Sequence, residues 1–410
     1  MPLIATLFFE PLDVLVFRDH RPFVAGQHFL ARSVFPLPSV FFGALRTALF
    51  ERAGVRFGPF NSKENPFDAL TADDRALLGD TDEPGALQLE GPLLALKEDT
   101  TKAPSVLLPW PRDLDVDKTK DEALPVYPAY PRPTPGRSLR WRSQSSEGSL
   151  HPLTHLPTSD LPRGGKPDKT RRLLTAEGAL KYISASAKGA TRLDLTPCVD
   201  FVPERCILTH EERTGIARTR AESPQDLDPL TVEESMLYTV RTWRLTRGAG
   251  FLIDLHLADH QRALKDHLDQ ILGKIDRGLV RLGGKGHLAS VTVYPAPDSP
   301  LESLRRTTST IARSATDAAR KAWCLTPSVL DPAPHTMVLG DTLRLGGVNL
   351  RGTAKNPRGP RPLVPALAPG AVVFLDKPSA LTSHLNAPPG HPACAGYGVH
   401  LSISYTLPGA

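Results

Sequence analysis

No apolar run in the 410-residue sequence approaches the ~20 residues that a membrane-spanning helix needs. The start, MPLIATLFFEP, carries neither a basic leader segment nor a small-residue cleavage site, so no secretory signal is expected. Cysteine is scarce, and Cys198, Cys206, Cys324 and Cys394 include no close pair. Neither a disulfide framework nor a zinc knuckle is indicated; four reduced thiols in a cytoplasmic protein are expected instead. A phosphate-binding GxxxxGK[ST] loop is absent. His151 and His155 have i, i+4 spacing, but Pro152 and Pro157 argue against the helix that would align them on a metal. No metal or cofactor is expected. Clean periodicity is missing from 55 to about 200, where PVYPAYPRPTPGR (125–137) and HLPTSDLPRGGKPDKTRR (155–172) read as loop.

Net charge is only +5, but it is segregated. Residues 59–122 hold 7 Lys+Arg against 15 Asp+Glu, and residues 128–192 hold 12 against 4. Such segregation suggests a polyanion at the basic segments and a basic protein face at the acidic one, although charge runs are usually only solvated surface.

The most informative stretch is PLDVLVFRDHRPFVAGQHFLARSVFPLPSVFFGALRTAL (11–49). Residues 3–9 alternate as a strand, a turn follows, and a loop then carries Arg18, Asp19, His20 and Arg21. The segment FPLPS leads into a helix over 39–53, with Ser39 as N-cap, Phe41, Leu45, Ala48 and Leu49 on one face, and Gly54 closing it. Order returns at 236. The pattern predicts a strand over 236–246, a turn at RGAG (247–250) and a strand over 251–257. A helix is expected from Asp259 to Gly278, bearing Leu264, Leu268, Ile271, Leu272 and Ile275, then a strand over 289–294. This is βαββαβ, the ferredoxin-like pattern, interrupted after its first helix.

Three basic or glycine-rich loops are candidates for binding. In RLGGKGHL (281–288), Gly283, Gly284 and Gly286 allow close backbone approach, while Lys285 and His287 add charge or hydrogen bonds. In ERTGIARTRAESPQDLDPLTVEESMLYTVRTWRL (212–245), Arg213, Arg218 and Arg220 make a basic finger able to grip phosphates; pairing with Glu211, Glu212 and Glu222 is the plainer alternative. In 343–376, Arg351, Lys355, Arg358 and Arg361 are phosphate candidates. The segment 301–323 reads as helix or connector, and 372–376 and 399–405 as strands.

The 11–49 run, the Gly-rich loop in its βαββαβ position, the RTGI…LYT segment, and KAWCLTPSVL (321–330) with CAGYGVHLSISY (394–405) resemble RAMP proteins, the RNA-binding subunits of CRISPR effector complexes. The closest resemblance is to the third subunit of the type III-B (Cmr) complex, which caps the guide RNA 5′ tag. The resemblance implies an α+β protein with two ferredoxin-like domains: 1–54 with 200–296, interrupted by a loop-rich insertion over 55–199, and an irregular second unit over 297–410. It also implies a non-catalytic subunit whose partners are the guide RNA, the large polymerase-like subunit and a backbone RAMP subunit. Arg18, His20, Arg21 and Arg46 would contact RNA from the N-terminal loop and helix, with the Gly loop and the finger beside them. Three other readings stay open: an endoribonuclease using His20 as general acid or base without metal, the equivalent type III-A subunit, and a protein-only scaffold.

Overall fold

A computed structural model describes residues 1–17, 31–57, 66–80, 83–98, 102–116, 124–133, 139–142, 150–153, 155–158, 170–218, 232–296, 299–313, 319–330, 335–349, 359–375, 385–387 and 393–407. The elements that place the candidate site begin with strand β1 (Leu3–Pro11), helix α1 (Pro38–Arg52), helix α2 (Ala72–Leu78), and strands β2 (Leu87–Leu96) and β3 (Ser105–Pro109). Strand β4 (Arg172–Leu174), helix α3 (Ala176–Ala187), strand β5 (Phe201–Pro203) and the long arms β6 (Leu208–Arg218) and β7 (Val232–Leu245) follow. Next come β8 (Ala249–Leu257), α4 (Lys265–Ile275), β9 (Leu279–Arg281) and β10 (Leu288–Pro295). The last are α5 (Pro300–Arg313), β11 (Ala319–Cys324), β12 (His335–Leu339), β13 (Val372–Leu375) and β14 (His400–Tyr405). No helix among the described residues is long and apolar enough to cross a membrane.

The fold is mixed α and β with several antiparallel sheets. The main sheet has eight strands in the order β5-β4-β3-β2-β8-β1-β10-β9. Its centre, β10-β1-β8-β2, is antiparallel throughout, with α1 crossing from β1 to β2 and α4 from β8 to β10. The βαββαβ order is therefore present, but its second strand is Leu87–Leu96. The residues 236–246 do form a strand, yet they pair with β6, outside the main sheet.

The physical reason lies in burial on two sides. Leu94, Leu107 and Leu173 enter the first core, whereas their neighbours Leu93, Val106, Leu108 and Leu174 enter a second. A strand buried on both faces can show a continuous apolar run rather than alternation, and in β2 the alternating LQLE gives way to such a run at PLLAL. Residues 55–199 are thus no loop-rich insertion as a whole. They supply β2, β3 and β4 to the main sheet and α3 to the second core.

The first core lies between the main sheet and α1 with α4. Phe41 sits edge-on to Phe9 at 5.4 Å and tilted to Phe251 at 5.1 Å. Burying such a ring contributes about 1.5–3 kcal/mol. Helix α1 starts one residue earlier than expected, because Pro38 fits the first turn where its missing N–H is no loss. Ser39 is not its cap; its hydroxyl lies 3.0 Å from Tyr397 Oη. Gly54, at φ +92°, follows the last turn as expected. The helix expected from Asp259 begins as a 3-10 turn over Asp259–Leu264, and α4 proper starts at Lys265.

The second core lies over a four-stranded antiparallel sheet, β12-β13-β11-β14, and is closed by α3 and α5. Trp323, Tyr182, Phe374 and Ile403 fill it. A domain boundary at 199/200 or 296/297 would cut through this packing.

Candidate nucleic-acid interface

Three of the motifs singled out in the sequence converge at one end of the main sheet. The backbone just before residue 18 and just after residue 30 is closed into a stem. Val34 N–H donates to the Phe17 carbonyl at 2.9 Å, and Phe17 N–H donates to Ser33 Oγ at 3.2 Å. Both sides of the stem are pinned to β7. Leu15 and Trp243 exchange backbone hydrogen bonds of 2.8 and 2.9 Å, Ser33 N–H donates to the Arg241 carbonyl at 3.2 Å, and residues 31–32 pair with Val240–Arg241. Trp243 packs the junction, edge-on to Phe17 and Phe35 at 6.1 Å each. Its Nε1–H donates to the Ser33 carbonyl at 3.3 Å.

The Gly-rich turn abuts the same stem. Gly284 N–H donates to the Val16 carbonyl at 2.8 Å, and Leu282 N–H donates to the His287 carbonyl at 2.8 Å, closing the turn. Gly283 holds φ +76°. The turn therefore fastens the stem, and Gly286, at φ +71° with open space where a Cβ would stand, is the glycine that faces outward.

The finger is the hairpin β6–β7, and its base is electrically balanced. Arg213 Nε donates to Glu211 at 2.7 Å, and Arg244 reaches Glu211 at 2.7 Å and Asp13 at 3.1 Å. Arg213 also lies 3.4 Å from Asp13, while Arg241 pairs with Glu212 at 2.6 Å. The Arg213 and Arg244 hydrogen bonds hold the exposed Glu211 carboxyl below its ordinary range. The plainer reading of Arg213, pairing with neighbouring acids, is what the structure records. A phosphate reaching it would exchange one carboxylate for another anion.

Arg46 is placed elsewhere. Its guanidinium donates to the carbonyls of Leu78 at 2.8 Å and Asp80 at 3.0 Å and lies over the rings of Phe42 and Phe50. Its donors serve the end of α2 rather than the Gly-rich turn. Arg46→Met should lower stability by about 1–3 kcal/mol, since two half-buried carbonyls lose a charged donor; urea denaturation would measure it. Arg18, His20, Arg21, Arg220, Arg351 and Lys355 lie outside the described residues, as do the side chains of Arg218 and Lys285. Trp243, Arg241, Arg244 and Asp13 do not stand out in the sequence. Trp243 is legible there only as one apolar position of an alternating strand.

The family model described as "CRISPR-associated protein (Cas_Cmr3)" matches residues 7–387. No curated protein matches the chain. Among solved structures, the type III-B Cmr-beta complex bound to cognate target RNA and AMPPnP contains a similar chain. It is 14% identical, with 90% of this chain and 86% of that one covered, at a TM-score of 0.42. The Csm3-Csm4 subcomplex of the type III-A CRISPR-Cas interference complex is 10% identical, covering 98% and 99%, at a TM-score of 0.38. Oligomeric Cmr4 from Pyrococcus furiosus is 11% identical, covering 72% and 99%, at a TM-score of 0.23. All three are distant likenesses.

Proposed function

Since the chain belongs to the Cas_Cmr3 family of CRISPR-associated proteins, we propose that it is a non-catalytic RNA-binding subunit of a type III-B ribonucleoprotein that holds the guide RNA 5′ tag. In this reading both units are ferredoxin-like: the β10-β1-β8-β2 sheet with α1 and α4, and, more irregularly, the β12-β13-β11-β14 sheet. The observation that supports it best is the convergence of the stem flanking Arg18, His20 and Arg21 with the Gly-rich turn and the β6–β7 hairpin. A rigid, pinned stem is what positioning requires, because phosphate contacts fix the register of a strand while its unstacked bases are read by stacking and edge hydrogen bonds. Its partners in the assembly would be the large polymerase-like subunit and a backbone RAMP subunit.

The test is binding of a short RNA carrying the 5′ tag, titrated against salt in the assembled complex. Arg18→Ala/Arg21→Ala should weaken binding and reduce the log–log salt slope by ~0.7 for each phosphate that is no longer neutralised. An unchanged slope would remove those arginines from the reading, and equal affinity for RNA with a scrambled tag would overturn tag recognition itself.

A further inference from the structure

A polar row lies beneath α5 on the face of the main sheet turned away from the first core. Thr6, Asp254 and Glu90 are cross-strand neighbours on β1, β8 and β2, and His256 lies two residues along β8 on the same face. Asp254 is buried, accepting from Thr6 Oγ1 at 2.7 Å and from Ser299 Oγ at 2.5 Å. Ser299 in turn accepts from the Glu302 N–H at 3.1 Å, tying the row to the first turn of α5. Arg305, one helical turn further along, forms an ion pair with Glu90. His256 is only 7% exposed; its Nε2 lies 3.4 Å from Glu90 Oε2 and makes no hydrogen bond. His400 on β14 is a further titratable neighbour among the described residues, its Nδ1 2.8 Å from the Gly398 carbonyl.

Two carboxylates and one guanidinium leave this row with one uncompensated negative charge while both imidazoles are neutral. One proton on His256 cancels it, and its unpartnered nitrogen is already directed at Glu90. Uncompensated charge away from water is costly, so the proton and the α5–sheet contact favour each other. We propose that His256 is the proton-operated member of a latch between the two cores: protonated, it completes the Glu90–His256–Arg305 contact and seats α5 on the main sheet; neutral, it loosens that contact.

The neighbours set the direction of the titration. Burial opposes the charged imidazole, but Glu90 and then Asp254 outweigh it, with Arg305 opposing, and His256 is held above the ordinary histidine value. Glu90, at about 2, stays ionised throughout. Burial raises the Asp254 carboxyl and lowers His400, which leaves His400 neutral in the same window. A raised folded value means that the stabilisation is full below about pH 6.5 and fades as pH rises through that folded value.

Histidine NMR titration of the full chain, with His256→Gln to assign the signal, tests this. The His256 midpoint should lie above 6.5, fall in Glu90→Gln and rise in Arg305→Gln, about tenfold in proton affinity per unit. The wild-type melting temperature should drop between pH 6.5 and 8.5 more than that of His256→Gln. A wild-type midpoint at or below 6.5 would overturn the latch, whether or not the variants fold. So would one equivalent of zinc retained through purification and lost in His256→Gln, because a metal rather than a proton would then fill the row.

Discussion

Lys321→Met should cost about 3–5 kcal/mol of stability, although it trades a charged chain for an apolar one of similar length. Lys321 on β11 and Asp113 are both fully buried and lie 2.6 Å apart. Tyr182 Oη donates to both Asp113 oxygens at 2.8 Å, and Lys321 Nζ also donates to Ser186 Oγ at 3.0 Å and lies 4.6 Å from the Tyr182 ring. Burial drags the lysine down from its ordinary value and Asp113 pulls it back. Without the ammonium, Asp113 is left as a buried charge with the Tyr182 phenol as its one partner among the described residues. The double variant Lys321→Met/Asp113→Leu should recover most of the loss, because removing both charges also removes their desolvation cost. Urea denaturation of the isolated chain measures both. A single-variant loss under about 1 kcal/mol, or a double variant no better than the single one, would contradict this account.

Gly283→Val should be the most damaging change in the Gly-rich turn, at about 2–5 kcal/mol. A Cβ there would stand 2.8 Å from the Val16 carbonyl oxygen and 3.3 Å from the Phe17 ring. The left-handed backbone adds about 1–2 kcal/mol for any side chain, and forcing the stem aside about 1–3 more. Gly284→Ala is the internal control: its φ is ordinary and its nearest neighbour would be 3.5 Å away. A change of less than about 1 kcal/mol is expected there. Because the displaced atoms belong to the stem, Gly283→Val should also weaken tag-RNA binding while Gly284→Ala leaves it near wild type. Equal melting temperatures for the two variants would show that the stem does not rest on this turn.

The legible parts of the fold are those whose sequence is periodic, including β1 and β8, which are buried on both faces but place Thr6, Asp254 and His256 on the second one. Strands β1, β8 and β10, helix α4 and the turn at Gly248 follow from alternation, helical spacing and glycine placement. Strands β2 and β3 escape such a reading because each feeds two cores: the short alternation of LQLE is broken by GPLLAL, and SVLLP offers none. Strand β7 is legible, but not its partner: β6 is the charged HEERTGI segment, which pairs through its backbone and carries little apolar signal. At the candidate site, the glycines and arginines stand out in the sequence. Their division of labour does not. Whether an arginine meets an acid across a hairpin or a carbonyl from another helix, as Arg213 and Arg46 do, depends on register and long-range packing.

Strand β1 is flanked on both sides by strands from much later in the chain, β8 starting at Ala249 and β10 ending at Pro295. On the ribosome, this strand therefore has neither edge covered until roughly 240 more residues have been added. At about 5–20 residues per second that is on the order of 12–50 s with ATLFF exposed as a β-forming, uncharged segment. Synthesis, rather than the finished protein, is when this chain is most open to aggregation. Slowing elongation should increase insoluble product, and moving β1 to the C-terminus by circular permutation should reduce it.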